Sequence, residues 1–163
     1  MTDTVLTIIN AIATVIAVIS AIRSHRYYKK SRALADYTNM SKALVEIEKM
    51  LLKLPEALSA TNKSRQKSGR GVNLEKVICD IGTELNASYN EVHSCIPSEH
   101  AEGLFEFEKT DDFILLKYIN GYINGEAITS GVLDSTQFTI CQTQLMKMQD
   151  YLKKIIDAMP EKI

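Results

Sequence analysis

The chain has 163 residues, with 19 Lys and Arg against 20 Asp and Glu and a formal net charge of −1 at neutral pH. That balance lacks the basic excess of a duplex nucleic-acid binder, so no such partner is expected. Three cysteines (Cys79, Cys95 and Cys141) show no paired spacing, which excludes a disulfide framework and a zinc site built on cysteine pairs.

The run from Val5 to Ile22 holds eighteen residues without one charge, and fourteen of them are Ala, Val, Leu or Ile. As a helix it would be about 27 Å long, close to the roughly 30 Å of a bilayer's hydrocarbon. Arg23, His25, Arg26, Lys29, Lys30 and Arg32 follow at once, and Tyr27 and Tyr28 suit the headgroup level. Only Asp3 is charged ahead of the run. The positive-inside rule therefore predicts one transmembrane helix at the cell inner membrane, with the N-terminus outside and the rest in the cytoplasm. A cleaved secretory signal would need a basic leader, which is missing. A buried soluble helix of this length would normally carry charge on one face.

At about 100° per residue the run has two unlike faces. Thr7, Asn10, Ala11, Thr14, Ala17 and Ala21 share one side, and Ile8, Ile9, Ile12, Val15, Ile16, Ile19 and Ile22 cover the other. Lipid does not drive such segregation, whereas helix partners favour small residues that let backbones approach closely. Homo-oligomerisation is expected, with Thr7, Asn10 and Thr14 lining the axis.

The remaining ~130 residues are enough for one domain, and they read as helical throughout. Residues 1–32 form the membrane and juxtamembrane part and 33–163 a cytoplasmic helical domain. Its first helix continues from the span on a heptad seam of Ala33, Tyr37, Met40, Leu44, Ile47, Leu51 and Leu54, and Pro55 is expected to interrupt it. Asn73 is a good N-cap for a second helix, which uses Leu74, Ile78, Ile81, Leu85, Tyr89, Val92 and Ile96 and stops at Pro97. Ser98 should cap a short helix around Ala101 to Phe107. Thr110, Asp111 and Asp112 resemble the acidic start of another, with Phe113, Leu116, Ile119 and Tyr122 on one side. Asp134 or Ser135 caps the last helix, striped by Phe138, Cys141, Leu145, Met148, Leu152, Ile155 and Met159 up to Pro160. The expected fold is all-α, a single span followed by a bundle.

All five arginines sit in two short patches, Arg23 to Arg32 and Lys63 to Arg70. The second patch contains Lys63, Arg65, Lys67, Ser68 and Arg70 and no acidic residue. Guanidinium forks, hydroxyls and glycine amides are phosphate-binding groups, and the patch runs towards a helix start whose dipole favours anions. It is equally readable as a flexible solvated connection or a contact with anionic lipid. It is not a P-loop, because no glycine-rich stretch ends in Gly-Lys-Ser/Thr.

No nucleophile elbow or dinucleotide fingerprint is present. His93, Cys95 and His100 are the nearest approach to a metal set, but Pro97 lies between them and no second ligand pair follows. No metal, cofactor or enzymatic activity is expected. His93 could also form one wall of a small-ligand pocket with Asn86, Tyr89 and Asn90.

A single N-terminal span, a juxtamembrane basic block and a helical cytoplasmic domain in about 160 residues resemble the small membrane effectors of type III CRISPR antiviral systems. The resemblance implies a tetrameric cytoplasmic domain that binds a cyclic oligoadenylate, cyclic tetra-adenylate, and thereby disturbs or opens the membrane segment. Under it, Arg65, Lys67 and Arg70, with Lys63 and Ser68, would neutralise the ligand's phosphates. Tyr89 or Tyr122 would stack on adenine, and Asn86 or Asn90 would read its edge. The other class of function is a membrane-tethered scaffold whose bundle docks a partner protein.

Overall fold

The computed structural model describes residues 2–65, 73–109, 113–125 and 135–159, and these residues are helical or connect helices. One helix, α1, runs from Thr2 to Arg65 without a break. Its first third is long and apolar enough to cross a membrane: the most apolar 18-residue window has a mean hydropathy of 2.5, and none of it is buried. The ten large aliphatic side chains between Val5 and Ile22 are each 47–60 % exposed, having no neighbour from the rest of the chain. Burying one such side chain is worth roughly 1.5–3 kcal/mol, so this arm is not a stable surface in water.

Beyond Tyr37 the same helix becomes the spine of a bundle. Met40, Ala43, Ile47, Met50, Leu54 and Ala57 are fully buried on one face. The expected seam is right at Met40, Ile47 and Leu54. Leu44 and Leu51 are only half-buried flanks, and Ala43 and Met50 take their places. The reason is that α1 meets two helices, which broadens and rotates the covered face relative to a two-stranded seam. Pro55 does not interrupt the helix. Proline removes one backbone hydrogen bond, yet Leu54 and Ala57 beside it are fully buried, so packing on both sides of Pro55 outweighs the local penalty.

Helix α2 spans Leu74–Cys95, and the Asn73 side chain caps it by accepting from the Lys76 amide at 3.1 Å, as the sequence predicts. Helix α3 covers Ser98–Phe105 and passes into a 3-10 turn, Glu106–Lys109. Pro97 rather than Ser98 is its N-cap, and the Pro97 carbonyl accepts from the amides of His100 and Ala101. Helix α4 spans Leu115–Ile123 and α5 spans Ser135–Ala158. The acidic start expected at Thr110 to Asp112 lies outside the described residues. On α4 the buried side chains are Leu115, Tyr118, Ile119 and Tyr122, whereas Leu116 is exposed. That rotates the expected face, because α4 packs on α2 and also meets α5. On α5 the predicted stripe holds: Cys141, Leu145, Met148 and Leu152 are fully buried.

Cross-links show how the helices run. Lys42 pairs with Glu91, Ser88 donates to Glu46 at 2.9 Å, and Lys53 lies 2.7 Å from Glu84, so α2 is antiparallel to α1. Gln149 of α5 donates to Glu48 at 3.1 Å, while Tyr151 and Lys154 share a groove with Asp36 and Ala33, so α5 is antiparallel too. The ends of α2 and α5 and the start of α3 therefore lie at the arm end of the bundle. The end of α1, the start of α2 and α4 lie at the far end.

Candidate functional site

The described residues among those expected to form one ligand site do not share one open surface: they lie at the end of α1, along α2 and in the core. Lys63 is exposed near the end of α1 and Arg65 is its last residue, whereas Lys67, Ser68 and Arg70 lie outside the described residues. This tip is 41 residues beyond Ile22, or about 60 Å along a straight helix. Asn86, Tyr89 and Asn90 lie on α2, with Tyr89 about 24 Å along that helix from Asn73. Asn86 is half-buried and Asn90 exposed. They lie along α2 away from the end of α1 that carries Lys63.

Tyr89 is 5 % exposed and belongs to a polar cluster that ties α2 to the segment after it. Its hydroxyl donates to Glu108 Oε1 at 2.5 Å, and His93 Nε2 lies 3.1 Å from the same oxygen. The His93 ring stacks on Phe105 with centroids 3.8 Å apart and planes at 4°. Burial, reinforced by the Glu108 carboxylate, pushes the Tyr89 phenol well above its usual range, so it remains a neutral donor. Its ring is thus engaged within the fold rather than open to a base. Glu108 and Phe105 were not foreseen. Nothing in the spacing links them to Tyr89, because the chain has to turn at Pro97 before they meet.

Tyr122 is fully buried at the far end. Its hydroxyl lies 2.8 Å from Thr61 Oγ1 and 3.1 Å from the Tyr118 hydroxyl, and Thr61 in turn donates to the Ala57 carbonyl. This side chain joins α4 to α1 and presents no open face for stacking. The three candidate metal ligands also have separate surroundings. His93 is held against Glu108, Cys95 Sγ is 3.6 Å from Glu91 Oε1, and His100 Nε2 is 3.7 Å from Glu99 Oε1. Among the described residues no group of three or more His, Cys, Asp or Glu is placed to hold a metal ion.

Open grooves among the described residues include two of note. One of about 510 Å³ lies between α1 and α2, floored by Met50 and Leu85 and rimmed by Glu46, Lys53 and Glu84. The other, about 620 Å³, lies at the arm end between Asp36 of α1, His100 of α3 and Tyr151 and Lys154 of α5. Both carry mixed charge. In the first, Lys53 is shared between Glu56 at 2.9 Å and Glu84 at 2.7 Å, which leaves little net field for an anion. Thr7, Asn10 and Thr14 are exposed on the arm, where Thr7 and Thr14 donate back to the carbonyls of Asp3 and Asn10. That self-pairing lets a hydroxyl sit in an apolar medium without an unmet donor. No protein-family model matches this chain, and neither a curated protein nor a solved structure does so.

Proposed function

We propose that this protein is a non-enzymatic membrane effector, anchored by Val5 to Ile22 with the helical domain in the cytoplasm, in which an event at the domain rearranges the spans. The supporting observation is that the apolar arm and the spine of the bundle are one helix, Thr2–Arg65. A rotation or tilt imposed on Met40 to Ala57 by the packed helices is carried into the bilayer without an intervening flexible joint. Differential affinity of a ligand for two arrangements of the domains would then shift the spans.

The ligand in this reading is a cyclic oligoadenylate, cyclic tetra-adenylate in the first instance. Its phosphates are bound by the Lys63 to Arg70 segments of several copies, a tetramer by resemblance. A ligand on a symmetry axis meets the same few cations from every chain, which multiplies a modest local charge. Asn86, Tyr89, Asn90 and Tyr122 have no part in this version, because they lie away from the tip or inside the core. The orientation follows from the six basic side chains between Arg23 and Arg32, which the cytoplasmic leaflet attracts.

Full-length protein in dye-loaded vesicles tests the reading. Cyclic tetra-adenylate should trigger dye release, and the Arg65→Ala, Arg70→Ala double variant should abolish both ligand binding in a filter assay and release. At 100 times the dissociation constant the ligand should stabilise the domain by about 2.7 kcal/mol. Vesicles that stay sealed while the ligand is bound would refute the effector reading and favour the tethered scaffold.

A further inference from the structure

The exposed side of α1, opposite its fully buried positions and bordering the groove with α2 at Lys49 and Leu52, carries a second heptad line. In the arm one row of this line is Asn10, Ala17, Ser24 and Ser31, and the same seven-residue step continues to Thr38, Val45 and Leu52. All of these positions are exposed. Val45 and Leu52 are 48 % and 79 % exposed, and Leu52 is the most exposed large aliphatic side chain among the described residues. The companion row is Thr7, Thr14, Ala21, Tyr28 and Ala35, followed by Lys42 and Lys49. None of the six basic side chains between Arg23 and Arg32 falls on either row. The two lysines are each held against a carboxylate of their own chain, Lys42 by Glu91 and Lys49 by Glu46 at 2.5 Å.

We propose that α1 of a second, parallel copy packs along this exposed side, so that Val45 and Leu52 of one copy meet the same residues of the next. The proposal rests on the membrane reading, because insertion orients every copy the same way and brings equal residue numbers to equal height. A strict seven-residue repeat on a 3.6-residue helix drifts by about 20° per heptad, which a left-handed supercoil absorbs. In that frame the line connects the span's small, uncharged face to Leu52 with no phase break. The positions buried against α2 and α5, Met40, Ile47 and Leu54 among them, lie on the opposite side of the helix. Two copies can therefore join along α1 without displacing either bundle. The contact also supplies what covers Leu52, a side chain that its own fold leaves in water. Small residues in the bilayer and larger ones outside it fit the two media, since close approach drives packing in lipid and apolar burial drives it in water.

The test is thiol cross-linking of full-length protein in membranes, with the exposed Cys79 replaced by serine. Leu52→Cys and Val45→Cys should each give a cross-linked pair with a short bismaleimide, while Leu116→Cys, exposed on α4, should not. Leu52→Glu should abolish the Val45→Cys cross-link. Carbonate extraction of the same samples judges the anchoring separately. Membrane-embedded protein without the Leu52→Cys link, or with an equal link through Leu116→Cys, overturns the interface and leaves the anchoring intact. The specific link in protein released by carbonate supports the interface and refutes the span.

Discussion

Thr61 is the buried polar side chain on which the far end of the bundle turns. Its hydroxyl donates to Ala57 and contacts the Tyr122 hydroxyl, so α1 and α4 share a polar contact inside an apolar core. Thr61→Val keeps the shape and removes that contact, and it should lower stability by about 1 kcal/mol. Tyr122→Phe should cost a similar amount. The double variant should cost less than both together, because the two hydroxyls are coupled. Urea unfolding of the three variants measures this, and strict additivity would show that the hydroxyls act independently. Tyr122 illustrates what residue type leaves open. A tyrosine beside a glycine on a short amphipathic helix suits a base-stacking platform or a core anchor equally well, and only the approach of Thr61 from 61 residues away selects the second.

At the level of elements, glycine at position 82 permits the crossing of α2 and α4. A Cβ there would lie 2.7 Å from the Ile123 amide nitrogen and 2.8 Å from Tyr122 Cβ. The first of these is backbone and cannot swing aside. In an open helix Gly→Ala gains up to about 1 kcal/mol, but Gly82→Ala should instead lose roughly 1–3 kcal/mol by overpacking. A thermal melt decides the sign, and a raised midpoint would mean that α4 moves away at no cost. The elements themselves were largely readable. Asn73 and Pro97 bracket α2 as their chemistry requires, and the α5 stripe from Cys141 to Leu152 is the buried one. The misses came where packing overrides local rules: Pro55 inside α1, Leu116 turned outward on α4, and Ala43 and Met50 replacing Leu44 and Leu51.

Over the whole molecule, stability should depend on pH from both sides. Lys49 and Ser88 hold the Glu46 carboxyl below its ordinary range against partial burial, and Lys42 does the same for Glu91. A depressed folded value contributes stability above the ordinary carboxylate pKa of about 4.3, and that stability is lost as pH falls through the folded value. The Glu91 pair is exposed to water, so it adds little. Burial pushes the Cys141 thiol from 9.0 up to about 12 and raises the Tyr89 phenol as well. For the thiol, the raised folded value is fully stabilising below 9.0 and is lost as pH climbs towards 12. Melting followed by circular dichroism should be flat around neutrality and fall in acid and above about pH 9. Cys141→Ala should flatten the alkaline limb, and an unchanged limb would exclude the thiol as its cause.

From the sequence alone came the apolar arm, the basic collar, the all-helical class and the bounds of α2 and α5. Each depends on residues within a turn or two of one another: runs without charge, caps, prolines and three-and-four periodicity. Tertiary structure determined which face of each helix is covered, placed Tyr89 well along α2 from the Lys63 end of α1, and turned Tyr122 into the core beside Thr61. It also brought Glu108 to Tyr89 and His93. Those outcomes depend on how many neighbours a helix has and from which direction they approach, and a one-dimensional pattern does not record either.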